Sequence, residues 1–225
     1  MQRYQAALAA TCVLGFAGFA SGAIVPFTEH FSSSASNWYN QAGSEPASWV
    51  AGGGAPGGEG GYITATFNFA NSVPSSPHLF FRGQANLGSS NGAFVGDWLS
   101  AGVTQLRFMV RHNGTQPLAF FARMTGPTNN PSVNAVTSEL IAPGAWTAVT
   151  FQIVQDNPEF TYSQGSQTFF SIFGNLANIQ IGAVAGALAG VDETFTFDLD
   201  MVSIVPTPAS AFVLLGVFAA RRRRR

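Results

Sequence analysis

The chain has 225 residues with ten arginines, no lysine and eleven acids, a formal net charge of −1 at neutral pH. Six of the arginines, Arg3 and Arg221 to Arg225, sit in the terminal segments; the body between carries only Arg82, Arg107, Arg111 and Arg123 against all eleven acids, a net charge of −7. Phosphate binding is driven by clustered basic charge, so a body this acidic excludes DNA and RNA as partners.

Residues 1–23 read as a secretory signal peptide with a helical apolar stretch. Arg3 precedes an apolar run from about Ala6 to Ala20, and Ser21-Gly22-Ala23 supplies a small-residue cleavage site. Cys12 lies inside the apolar run, with most of that run after it, which argues against a lipid-acceptor role. Removal of the segment leaves no cysteine, and therefore neither a disulfide nor a thiolate metal site.

The body, 24–204, reads as one all-β domain. Tyr62 to Phe69, Leu106 to Arg111, Leu118 to Met124, Trp146 to Val154, Asn178 to Ala183 and Thr194 to Ile204 are short runs of β-branched and aromatic residues separated by Gly, Pro, Asn and Ser clusters. Phe173 to Leu176 and Ala183 to Ala189 offer at most a helical turn, because glycines at 182, 186 and 190 weaken anything longer. The expected architecture is an antiparallel two-sheet β-sandwich.

The pair Asn113-Gly114 suits a type I′ turn, and a two-residue loop there would join Leu106–Arg111 to Leu118–Met124 with Arg111 opposite Gln116 and Arg107 opposite Phe120. In that register Leu106, Phe108, Val110, Ala119 and Phe121 form the buried face, while Arg107, Met109, Arg111, Leu118 and Phe120 form the other. Arginine beside an aromatic ring is a sugar-binding combination, the ring stacking on the pyranose and the guanidinium bonding hydroxyls. Arg107, Arg111 and Phe120, with the tryptophans Trp38, Trp49 and Trp98, are therefore the candidate carbohydrate-binding residues. In the last strand Phe195, Phe197, Leu199 and Met201 take the core side and Asp198 and Asp200 share the other.

No catalytic constellation emerges. Gly88-Ser89-Ser90-Asn91-Gly92 matches the nucleophile-elbow string but lacks the strand before Ser90 and the helix after it that the chemistry requires. Gly52, Gly54 and Gly57 match a dinucleotide string interrupted by Pro56 and followed by a strand, so no helix N-terminus is there to hold a pyrophosphate. His30, His78 and His112 are far apart and show none of the local pairings of metal ligands. The acids single out no glycosidase pair.

The tail, 205–225, has three parts: Val205-Pro206-Thr207-Pro208, an apolar run from Ala209 to Ala220, and five arginines. Twelve residues make a helix of about 18 Å against a hydrocarbon core of about 30 Å, too short for a comfortable span. A block of arginine then halts translocation at the cytoplasmic face. This layout resembles the PEP-CTERM sorting signal of Gram-negative bacteria, with Thr207 where the family places glutamate. The resemblance implies transient membrane association through the short helix, processing by an exosortase-like membrane protease, and delivery to the cell envelope or extracellular matrix.

A second resemblance covers the body. The opening Phe27-Thr28-Glu29 with Trp38 and Trp49 behind it, the segment Pro143 to Phe151, and the closing Phe197-Asp198-Leu199-Asp200 are similar to carbohydrate-binding-module and laminin-type jelly rolls. Such modules often hold a structural calcium between the first and last strands; the resemblance places it at Glu29, Asp198 and Asp200, whose hard oxygens suit that ion. No other cofactor is implied. The expected function is a non-catalytic exported protein with a structural or adhesive role in the extracellular matrix. The alternatives are a carbohydrate-binding module for an envelope or extracellular polysaccharide and, further off, a secreted hydrolase working through Ser90 or a carboxylate pair.

Overall fold

The computed structural model describes residues 25–165 and 168–206. The signal-peptide reading, and the sorting segment beyond Pro206 with Thr207, Pro208, the apolar run and the arginines, fall outside the described residues.

Among the described residues eleven strands form a two-sheet antiparallel β-sandwich, as expected. They are β1 (Phe27–Glu29), β2 (Ser48–Val50), β3 (Tyr62–Asn68), β4 (Pro77–Gln84), β5 (Val103–His112), β6 (Phe120–Thr125), β7 (Ser132–Val136), β8 (Thr147–Gln152), β9 (Phe160–Tyr162), β10 (Asn178–Val184) and β11 (Thr194–Pro206). One sheet runs β2-β3-β11-β5-β8, with β1 also paired to β11, and the other runs β4-β10-β6-β7-β9. Among the described residues the one α-helix, α1 (Phe169–Phe173), ends where the Phe173 to Leu176 signal begins, and a 3-10 turn at Gly186–Leu188 answers to the Ala183 to Ala189 signal.

Sheet-to-sheet packing follows from alternation. Leu106, Phe108 and Val110 of β5, Val149 and Phe151 of β8, and Phe195, Phe197 and Leu199 of β11 are buried against Ala122 and Met124 of β6 and Ile179, Ile181 and Ala183 of β10. At the centre the Phe197 ring stacks on Phe80 with centroids 4.0 Å apart and lies parallel to His112 at 6.1 Å.

Three expectations are corrected. Asn113-Gly114 does not turn β5 back onto β6; the two strands lie in different sheets, β5 pairing with β11 and β8 and β6 with β10 and β7. The cause is long-range: the Asn113 amide donates to Thr196 O at 3.2 Å, and its side-chain Oδ1 accepts the Thr196 N–H at 2.7 Å, so the chain continues along β11. Gly114 is needed for close packing instead, since a Cβ there would lie 2.9 Å from the Leu188 side chain and 3.0 Å from His112 Nδ1. Secondly, Leu118 and Phe120 point into the core. Thirdly, Met201 does not continue the core phase of β11. The register shifts between Asp200 and Ser203, Met201 adopts φ +50°, and the buried phase passes to Val202 and Ile204. One extra residue in a bulge moves every later side chain to the opposite face. β11 also runs through Pro206, two residues past the expected limit of the body, so Val205 and Pro206 pair with β5.

Candidate functional site

The outer face of the β11 sheet carries the arginines that the sequence singles out. Its register lines up Ser48, Thr64, Asp198 and Arg111 across four strands, with Arg107 four residues before Arg111 on β5 and exposed. The aromatic partners of Arg111 are Tyr62 and Trp146, neither of which the sequence reading selected. The guanidinium carbon lies 5.2 Å from the Tyr62 centroid and 4.6 Å from that of Trp146, a double cation–π contact. Asp198 Oδ2 accepts from Arg111 Nε at 2.8 Å and Nη2 at 2.8 Å, while Oδ1 accepts from Thr64 Oγ1 at 2.7 Å. Trp146 Nε1 donates to Gly53 O at 3.2 Å, fastening the glycine-rich 51–61 loop onto this face. Arg111 is thus held by one carboxylate and two rings, one of which, Trp146, is bonded to that loop.

The remaining candidate aromatics are mostly interior. Trp38 and Trp98 are fully buried, their Nε1 groups donating to Ser90 Oγ at 2.9 Å and Phe94 O at 2.8 Å, and Phe120 packs 5.8 Å from His112. None of the three forms part of a solvent-facing surface. A large ring with one polar atom is well placed in a core when that atom finds a partner, as both indoles do. Trp49 alone is open, at 37% exposure, and its Nε1 donates to Phe31 O at 2.6 Å. Ser90 is buried in a 3-10 turn as the acceptor for Trp38, and no described histidine bonds to it.

The three carboxylates suggested for calcium do not form one cluster, although Glu29 lies near enough to Asp200 for its charge to act there. Asp198 is consumed by Arg111, and Glu29 Oε1 accepts the Phe31 N–H at 2.9 Å. Asp200 is fully buried, with Oδ2 accepting the Ala55 N–H at 2.8 Å and Oδ1 accepting its neighbour Met201 N–H at 2.6 Å. A Cβ at Gly54 or Gly58 would lie 2.8 or 2.9 Å from Asp200 Oδ2, so the loop wraps this oxygen closely. Among the described residues no group of three His, Cys, Asp or Glu side chains is disposed to hold a metal ion. Burial pushes the Asp200 carboxyl above the usual carboxylate range, against the two backbone N–H bonds and the charge of His30, which pull it down, and with a smaller upward push from Glu29.

The built polar surface lies on the opposite sheet. Its outer face presents a row across five strands: Arg82 (β4), Gln180 (β10), Arg123 (β6), Asn134 (β7) and Thr161 (β9), extended past the β4 edge by Tyr39, which bridges Arg82 backbone to backbone. A second polar row, Gln84, Asn178, Thr125 and Ser132, lies beside it. Ile179, Ile181, Ala122 and Met124, the alternate residues of β10 and β6, face the core.

The 126–131 loop closes one end of this surface. Arg123 Nη2 donates to Asn129 O at 2.8 Å and Nη1 donates to Gln180 Oε1 at 3.1 Å, while Asn178 Nδ2 donates to Thr125 Oγ1 at 2.8 Å. Arg82 donates through Nε to Gln41 O. Two polar atoms of the row are buried without a partner, Gln180 Nε2 and Asn134 Oδ1. A cleft of about 410 Å³ adjoins it, lined by Gln84, Asn86, Pro127, Asn129 and Asn178 among others. Burial lowers the pKa of both guanidinium groups, and the charge of Arg82 lowers that of Arg123 further. The sequence signal for this face was present but distributed. β4, β10, β6 and β7 each carry a polar pair two residues apart, and only the register shows that the pairs align.

No protein-family model matches the sequence, and no curated protein matches it. Among solved structures the chain is similar to an exo-β-agarase, with TM-score 0.51 and 12% identity over 81% of this chain and 26% of that one. It also aligns with the family 11 carbohydrate-binding module of a cellulosomal cellulase of Clostridium thermocellum (TM-score 0.46, 11% identity, 83% and 97% of the two chains) and with the L4b domain of human laminin α-2 (TM-score 0.38, 14% identity, 63% and 90%). The chain spans about a quarter of the length of the agarase, and at such identity the likeness is one of fold.

Proposed function

We propose that this protein is a non-catalytic, exported β-sandwich that holds a polysaccharide and so contributes adhesion outside the cell. The observation that carries the reading is the outer face of the β10 sheet. Five strands and a flanking tyrosine place a ring, two guanidinium groups, two amides and several hydroxyl groups on one surface, which combines the stacking and hydrogen-bonding groups that sugars require. Titrating the full chain, in mild detergent, against a panel of immobilised polysaccharides is expected to find a binder whose affinity falls when Tyr39 is replaced by alanine. Absence of binding to every member of the panel counts against the reading.

The same proposal covers the termini. Residues 1–23 direct export, 24–204 are the body, and 205–225 are the PEP-CTERM-like sorting segment, processed by an exosortase-like partner in a Gram-negative-type envelope. Mass spectrometry of the mature protein is expected to show a product beginning at Ile24 and ending near Val205 or Pro208. A product that retains the arginines would make the tail a permanent anchor.

A further inference from the structure

We infer that the ligand of the β10-sheet surface is anionic, a polysaccharide bearing carboxylate or sulfate groups, with Arg82 and Arg123 as the residues that receive the oxyanion. The inference rests on the glycan-binding reading above and narrows it to a chemical class.

Of the four arginines in the body, Arg111 is neutralised by Asp198 and Arg107 is exposed on the other sheet. Arg82 and Arg123 share one row, separated by a single strand, so their Cα atoms lie about two strand spacings, roughly 10 Å, apart. Both are partly withdrawn from water, and Arg123 feels the charge of Arg82. Holding two like charges in such a place is unfavourable without a counter-charge. All eleven acids of the chain are among the described residues, yet the one ion pair there is Arg111–Asp198. A body with eleven acids against four arginines has left these two cations without an acid.

Gln180, between them, supplies the second observation. It is fully buried, and its Oε1 accepts from Arg123 Nη1 at 3.1 Å. The amide nitrogen therefore turns away from Arg123, and the neighbouring strand on the other side of β10 carries Arg82. That nitrogen has no acceptor, and neither Nη of Arg82 has one among the described residues. A buried donor without an acceptor costs its full desolvation. Three donor groups with no acceptor among them form a site for an oxyanion, which accepts several N–H bonds at once. Asn134 Oδ1, an unpartnered acceptor beside Arg123, is suited to a hydroxyl of the same sugar, and Tyr39 beside Arg82 to its ring face.

The test measures binding of the full chain to polygalacturonate, to a sulfated polymer such as dextran sulfate, and to neutral dextran and cello-oligosaccharides. The expected result is binding to at least one polyanion and none to the neutral polymers, despite the acidic body. The two polyanions tell carboxylate from sulfate. Arg82→Gln and Arg123→Gln are each expected to weaken binding roughly tenfold or more. Arg107→Gln, the same charge change on the other sheet, should leave it within about twofold, the ordinary range for a removed distant surface charge. Equal or better binding to neutral polymers overturns the anionic inference and leaves the glycan reading standing. Binding to none of the polymers overturns both. Polyanion binding that Arg107→Gln weakens as much as Arg82→Gln shows a general charge effect and removes the site.

Discussion

Phe197→Ala is expected to cost about 3–5 kcal/mol of folding stability, the range for a large aromatic truncated in a well-packed core. Phe197 is fully buried in the middle of β11, stacks on Phe80 at 4.0 Å, and also contacts Phe69, Phe120 and His112. These partners come from both sheets and from the residue that follows β3, so no single movement closes the cavity. The body has no cysteine with which to compensate. For a domain of this size each kcal/mol shifts Tm by roughly 2–4 °C, so thermal unfolding followed by near-ultraviolet circular dichroism should show a fall of about 10 °C. Phe197→Leu, which keeps most of the volume, should lose about half as much on the same scale. A fall under about 3 °C for the alanine variant means that the sheets close over the gap. Pairing it with Phe80→Ala then measures the coupling: stacked rings should show an interaction of at least about 0.5 kcal/mol.

How far the fold was legible depended on which interactions set each feature. β3, β5, β8, β10 and β11 were read within a few residues because alternation in a half-buried strand is local. β4 was not, since Pro77, adjacent Phe80 and Phe81, and Gly83 break the alternation. The register jumps at Ile181/Gly182 so that both phenylalanines are buried, and a Cβ at Gly83 would lie 2.7 Å from the Trp38 ring. The Asn113-Gly114 turn failed for a different reason: Asn113 bonds to Thr196, 83 residues away, and no local rule anticipates that competitor.

The candidate site divides in the same way. Arg107 and Arg111 were assigned to an outward face correctly, because their β5 neighbours Leu106, Phe108 and Val110 mark the inner one. The ring beside Arg111 was misassigned to Phe120 because the hairpin register was wrong; β8, not β6, lies against β5, which brings Trp146 there instead. Arg82, Gln180, Arg123 and Asn134 come from four strands that are neighbours in the sheet but are not all consecutive in the sequence, so their alignment exists only after the register is set.

Asp200→Ala is expected to destabilise the protein by about 2–4 kcal/mol at acid pH, since it leaves the buried Ala55 and Met201 N–H groups without acceptors, each at about 1–3 kcal/mol before relaxation. The loss should shrink as pH rises. Burial raises the native pKa of Asp200 above its unfolded value of about 3.9. Below the unfolded value the group is protonated in both states and its contribution is complete. As pH climbs, the unfolded chain releases the proton first, and native stability is lost until the raised native pKa is passed. Urea unfolding of the wild-type and variant chains between pH 4 and pH 8 isolates this dependence, because the other acids cancel in the difference. Glu29 and His30 act on Asp200 in opposite directions, and both remain in the variant. A wild-type advantage that is flat or widens toward pH 8 would mean that the carboxylate is ionised and compensated by a cation. A further rise of that advantage on adding calcium would make Asp200 an ion ligand rather than only the acceptor of the Ala55 and Met201 N–H groups.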